Sequence, residues 1–264
     1  MQNKLQLYTS IALEDDKYLE AKITDITKEL REKTKIMTDQ WIDSLERGNP
    51  DWELYHTKDY VSDTVLCYIV LSRACIKNTF KFFEVNDIPI KDLKWFDDYN
   101  GLGFTTADIL EKEVKDVNFF NDVEEQIKVL QRLSEHFNYQ MPHNDLDRSG
   151  KYDVVCSFEV TEHYQEPDDY IDKMCSMVND DGYLAISWTT VMFLGHFFEY
   201  KINGKIVNGQ NFGREISKRI RKNGFVKIGK AINQKPYIFK KVKAETKEEI
   251  KEIQSSYKNI SSRL

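Results

Sequence analysis

Residues 152–167 read YDVVCSFEVTEHYQEP, and this stretch decides the fold. Its first half is a nearly continuous apolar run of strand length, the pattern of a strand buried on both faces of a sheet. A proline and two acids then open a helical pattern, DDYIDKMCSMV at 168–178, and DGYLAISW at 181–188 reads as the next strand. The same rhythm runs upstream. LKWFDDY (93–99) and DVNFFN (116–121) read as strands, each followed by a helical pattern, TTADILEKEV (105–114) and VEEQIKVLQRLSEHF (123–137). Strands alternating with helices at this pitch predict an α/β domain with a mainly parallel sheet. Downstream, TTVMFLGHFFEYKINGKIVNGQ (189–210) reads as irregular and aromatic. A helix, GREISKRIRKN (213–223), and two strand-like runs, GFVKIGKAI (224–232) and PYIFKKV (236–242), follow it and predict an antiparallel ending.

The chain outside this rhythm is different. Residues 12–47 are charged, with Leu19, Ile23, Ile26 and Leu30 at helical spacing, and RGNPD (47–51) breaks the pattern. The run DTVLCYIVLSRACIKNTFKFFEV (63–85) is apolar almost all round and predicts a buried helix. Residues 1–90 are therefore expected to form a helical extension or lid, residues 91–242 the α/β domain, and residues 243–264 a charged tail or exposed helix.

Composition bounds the function. Net charge is −6, which argues against a general duplex-binding protein, because phosphate neutralisation needs basic surface. Cys67, Cys75, Cys156 and Cys175 lie in apolar runs without CxxC or zinc-like spacing, so buried free thiols are expected and no metal site. No apolar stretch reaches transmembrane length and no signal-peptide pattern opens the chain, so a reducing cytoplasm is the expected compartment.

In open α/β sheets, ligands bind beyond the carboxyl ends of the strands. Three such ends stand out. The first carries DDYNGLGF (97–104), where Gly101 and Gly103 suit either a tight strand-to-helix turn or a loop that lets backbone approach a ligand. At the second, Asn121 and Asp122 compete for the place of an acid that holds ribose hydroxyls about 20 residues beyond a glycine loop. The third is the stretch quoted first.

That stretch, with YIDKMCSMVNDDGYLAIS (170–187), resembles the fourth and fifth strand region of class I S-adenosylmethionine-dependent methyltransferases. The resemblance spans about residues 91–240. It implies a Rossmann-like, mainly parallel seven-stranded sheet with helices on both faces and an antiparallel final strand, and S-adenosylmethionine as cofactor. It also implies site residues. Asp97 matches the acid ending the first strand, and Gly101 and Gly103 match two motif glycines. Tyr99 stands where the family usually has its first glycine. Asn121, with Asp122 beside it, matches the ribose-binding acid. Asn144 and Asp145 stand where an acid often meets the adenine. Ser157, Phe158 and Glu159 border the methionine portion.

Candidates for a general base are His196, in FLGHFFEY (193–200), and His163, beside Glu162. A structural role competes in each case, as a satisfied polar group or a helix cap. WELYHTKDY (52–60) holds Tyr55, His56 and Tyr60, a lid over the cofactor or a helix start packed on the core. The basic cluster Arg214, Lys218, Arg219, Arg221 and Lys222 reads as a solvated helix face or, less favoured, a phosphate-binding one. The expected activity is methyl transfer to a small-molecule or sugar acceptor. The alternatives are a non-catalytic methyltransferase-like subunit and a nucleic-acid methyltransferase. The latter lacks an NPPY- or DPPW-type motif after the fourth strand, where SFEV stands.

Overall fold

The computed structural model describes residues 4–99, 101–230, 235–242 and 246–258. At the centre of the sheet lie β1 (Lys94–Asp98) and β4 (Tyr152–Phe158), whose side chains are buried on both faces. β2 (Asp116–Phe120) and β3 (His143–Asn144) extend the sheet on one side of β1, and β5 (Val178–Ser187) extends it beyond β4. All these pairings are parallel. Beyond β5 the order ends with β9 (Tyr237–Lys241) and then β8 (Phe225–Lys230), and β9 runs antiparallel to both neighbours. The predicted sheet and its antiparallel ending are both present.

Period-2 alternation divides the apolar residues between two faces. Phe96, Val155, Leu184, Ile186 and Phe239 point into one core with α7 (Asp168–Met177) and α8 (Gly209–Lys222). Trp95, Val154, Cys156, Ala185 and Ile238 point into the other, against α4 (Arg73–Val85). The α9 helix (Lys247–Ser256) docks there too, with Ile250 and Ile253, and Tyr257 stacks on Phe82 at 5.9 Å. These contacts hold residues 246–258 against the core. Thr246 and Glu249 form the capping box that starts it.

A third apolar cluster joins α1 (Lys4–Leu13), α2 (Ile23–Glu46) and α3 (Lys58–Cys67) to α5 (Phe104–Glu111) and α6 (Glu124–Phe137). Tyr8 stacks on Phe104 at 4.8 Å, and Lys4 pairs with Asp108. A π-helical turn, Tyr68–Ser72, joins α3 to α4, so the run expected as one buried helix is bulged in its middle.

One element in the stretch read as irregular is regular. Glu199–Ile202 (β6) and Lys205–Asn208 (β7) pair as an antiparallel hairpin. Asn203 and Gly204 both have positive φ at its turn. An Asn-Gly pair is the strongest short-range hairpin signal, and it stands in the sequence at 203–204. The basic helix face is engaged: Arg219 meets Asp172 and Asp168, and Lys218 meets Glu215 at 2.7 Å. The described residues contain no helix long and apolar enough to cross a membrane.

Candidate active site

A cavity of about 400 Å³ opens beyond the carboxyl ends of β1, β2 and β4, roofed by α3 and the 3-10 turn Trp52–His56. The β1–α5 loop forms one wall. Tyr99, Gly101 and Gly103 all have positive φ, at 48°, 52° and 79°. A Cβ on Gly101 would come within 2.9 Å of Thr64 Cγ2 on α3, and one on Gly103 within 2.6 Å of Leu130 on α6. The glycines thus let the loop pass between two helices in a conformation that L side chains rarely adopt. Tyr99 adopts it with a side chain: its ring packs edge-on against Phe120 at 4.7 Å and faces the Arg148 guanidinium at 4.7 Å.

Two successive acids end β1. Asp97 is buried and accepts a 2.6 Å hydrogen bond from Thr106 Oγ1. Burial pushes its carboxyl up to about 7, against the Thr106 bond. Asp98 is paired with Arg148 at 3.0 Å and accepts a hydrogen bond from the Tyr170 hydroxyl. Burial still outweighs the guanidinium, and its carboxyl rises to about 6.

At the end of β2 the two competing residues part company. The Asn121 side chain donates to the Gly101 carbonyl at 2.8 Å and to Gln126 Oε1 at 2.8 Å, and accepts from the Val123 amide at 2.8 Å. It clamps the glycine loop to the start of α6. Asp122 is exposed on the cavity wall. Asn144 brackets the Asn121 backbone, donating to its carbonyl at 2.8 Å and accepting from its amide at 3.2 Å. Asp145 accepts from the Gly150 and Ser149 amides and from the Tyr152 hydroxyl, at 3.0, 3.3 and 2.8 Å. Burial opposes its charge, but the Gly150 and Tyr152 donors outweigh it and hold the carboxyl below its usual range.

After β4, Phe158 and Glu159 line the cavity, while Ser157 is turned away to the Tyr170 hydroxyl at 2.8 Å. Glu159 has positive φ and pairs with Lys235 at 3.0 Å. His163 lines the cavity and shares a 2.9 Å hydrogen bond, through Nδ1, with the Tyr55 hydroxyl. Burial, then the nearby His196, drives the His163 imidazole down to about 3, so it is neutral at physiological pH. His196 stands behind it with ring centres 4.9 Å apart and is not among the lining residues. Its Nδ1 donates to the Val191 carbonyl at 2.6 Å, and its own carbonyl accepts from Trp41 Nε1 at 2.7 Å. Burial lowers the His196 imidazole to about 4.

The geometry therefore gathers Asp97, Tyr99, Gly101, Asp122, Phe158, Glu159 and His163 around one space. Gly103, Asn121, Asn144, Asp145, Ser157 and His196 lie in the supporting layer. Of the lid residues, Tyr55 and Tyr60 line the cavity, and the His56 side chain lies outside the described residues. Several residues of the cavity wall carry no site role in the sequence reading; among them are Asp98, Asp63 and Cys67, the last half-buried where full burial was expected. Tyr60, Asp63, Thr64 and Cys67 follow i, i+3, i+4, i+7 spacing, which puts them on one helix face. An acid inside an otherwise apolar helical run was the available signal.

Residues 91–200 match a family model described as a methyltransferase domain. Over these residues the chain carries a methyltransferase domain. Its fold is similar to that of an O-methyltransferase family protein from Burkholderia thailandensis, with TM-score 0.57 and 13% identity, over 82% of this chain and 72% of that one. It is also similar to an S-adenosylmethionine-dependent methyltransferase from Clostridium acetobutylicum, with TM-score 0.53 and 11% identity, over 72% of this chain and 99% of that one. A search of curated protein sequences finds no match.

The residues of the methyltransferase cavity fit this cofactor. The space is of ligand size, where pockets of roughly 300–1,000 Å³ are usual. It offers carboxylates for an ammonium and a ribose diol, aromatic faces for a sulfonium, and a positive-φ loop whose backbone can come close. The side chain at the missing-glycine position is packed against Phe120 and Arg148, so it forms wall.

Proposed function

We propose that the protein transfers a methyl group to a small-molecule acceptor bound beneath its N-terminal helices. The observation that carries this reading is the cavity at the β1, β2 and β4 ends, with Tyr55, Tyr60 and Asp63 of the N-terminal region on its wall. S-adenosylmethionine, when bound, supplies a methyl group on an electron-poor sulfonium, and that chemistry belongs to the cofactor. Asp122 would hold the ribose hydroxyls. Asp97 and the backbone of the 99–103 loop would hold the amino-acid end, and Phe158 and Glu159 would border it. The cavity walls would hold donor and acceptor in line, which is what such a transfer asks of a protein.

His163 and Tyr55 form a hydrogen-bonded pair on the cavity wall. The imidazole, kept neutral by burial, would fix the tyrosine hydroxyl in place as a positioning group. His196 supports the pair from behind and anchors the 191–196 loop through its two backbone bonds.

The test is calorimetric titration of the protein with S-adenosylmethionine and S-adenosylhomocysteine. Micromolar binding of either is expected, and Asp122→Ala is expected to weaken it about tenfold or more, as loss of a charge-assisted pair of hydrogen bonds does. No heat with either ligand overturns the proposal.

A further inference from the structure

Asp63 is the one carboxylate on the cavity wall that comes from α3, outside the β-strand ends. It has no hydrogen bond or ion pair to any described residue. The other wall acids are accounted for: Asp98 by Arg148, Glu159 by Lys235, and Asp97 and Asp122 by their places at the β1 and β2 ends. None of the described lining residues is lysine or arginine. Aromatic rings line the same wall as Asp63. Tyr55 and Tyr60 lie 4.7 Å apart, and Trp52 lies 5.8 Å from Tyr55. A lone carboxylate among aromatic faces is complementary to a cation with an apolar body and repels an anion.

We propose that the acceptor is an amine, held in its ammonium form by Asp63 between Trp52, Tyr55 and Tyr60. This inference rests on the methyl-transfer reading above and names its substrate class. An ammonium must lose a proton before its nitrogen has a free lone pair. That N–H bond breaks toward Asp63, whose carboxylate takes the proton and becomes neutral. Burial pushes the Asp63 carboxyl up to about 6, so the neutral form is accessible. The surrounding groups do not compete for the cation: the tyrosines carry no charge, and His163 is neutral.

The experiment uses the full chain saturated with S-adenosylhomocysteine, whose own binding is measured first. Benzylamine, 2-phenylethylamine and 1,4-diaminobutane are titrated by calorimetry against benzoate, 3-phenylpropionate and succinate, which place a carboxylate where the amines place a cation. At least one amine is expected to bind about tenfold or more tighter than its carboxylate counterpart. Asp63→Asn is expected to weaken that amine by a similar factor and to leave S-adenosylhomocysteine affinity unchanged, which also reports that the variant is folded. Asp63→Glu keeps the charge and is expected to keep the preference for amines. Equal or tighter binding of the carboxylates overturns the proposal. So does failure of every amine to bind, or a loss in Asp63→Asn that falls on S-adenosylhomocysteine instead of the amine. Failure of S-adenosylhomocysteine to bind wild type is a separate result and removes the methyl-transfer reading beneath it.

Discussion

Asp97 illustrates a trade between stability and binding at a single residue. Its folded carboxyl sits near 7, above the ordinary value of 3.8, chiefly because it is buried. A raised pKa favours the folded state in acid, and that contribution is lost as pH rises through about 7. Asp97→Asn removes the charged form, so it is expected to raise the melting temperature more at about pH 8 than at about pH 5. Cofactor affinity is expected to fall in the same variant; thermal melts and calorimetry at the two pH values check both. Gly195 offers a second residue-scale case. Its φ is +83°, and a Cβ there would land on the Tyr55 hydroxyl and on His163 Nδ1. Gly195→Ala is expected to break the Tyr55–His163 bond and to cost about 1–3 kcal/mol in urea unfolding. In a Tyr55→Phe background the same change is expected to cost less, because the clashing oxygen is gone. Additive effects of the two substitutions would sink this account.

Among the elements, α9 and the hairpin β6–β7 show how short segments acquire a place. The α9 helix has no fully buried residue, yet Ile250, Ile253 and Tyr257 pack on the core beneath α4. Ending the chain at residue 242 is expected to lower stability by roughly 2–4 kcal/mol, from the apolar area returned to water. It is expected to leave S-adenosylhomocysteine affinity unchanged, because the cavity lies at the strand ends and α9 lines none of it. Equal stability of full-length and shortened chains in urea would contradict this. The hairpin positions the loop that precedes it. Tyr200 Oη accepts from the Phe197 amide at 3.2 Å and its ring packs on Phe212 at 4.4 Å, fixing one end of the segment that carries His196. Trp41 of α2 holds the same peptide unit through its indole bond to the His196 carbonyl.

For the whole molecule, buried histidines and buried acids oppose each other. His163 and His196 have folded values near 3 and 4 against an ordinary 6.5. Keeping them neutral favours the fold above about 6.5, and that contribution is lost as pH falls. Asp63, Asp97 and Asp98, raised to about 6, 7 and 6, have the opposite sign and favour the fold as pH falls through that range. The buried Glu162 carboxyl, raised well above its ordinary value by burial and then by Glu159, acts in the same sense. Wild-type stability is therefore expected to rise as pH falls from about 7 to 5. His196→Gln, which can still donate to the Val191 carbonyl, removes one opposing contribution, and its stability is expected to rise more steeply over the same interval, as read from chemical denaturation at each pH.

The layers of the molecule were legible in the sequence because they rest on periodicity. Apolar runs at strand length alternate with helical patterns from residue 93 onward, and the local order around SFEVTEH carried the family resemblance. The glycine loop was legible too, since Gly101 and Gly103 advertise a conformation other residues avoid. The hairpin turn is written at Asn203–Gly204, where the surrounding aromatic residues mask its strand pattern. What sequence could not rank was which polar side chains face the cavity. Asn121 and Asp122 are adjacent, and only their hydrogen bonds separate a loop clamp from a wall acid. His163 and His196 are 33 residues apart in the chain and 4.9 Å apart in space, and which one faces the cavity follows from the loop that folds over them. Asp63 gains its meaning from strand ends that begin more than thirty residues later. Local pattern determines elements, because burial of one face is a short-range requirement. The site is a property of which faces the packed elements turn toward the same space, and only the tertiary structure decides that.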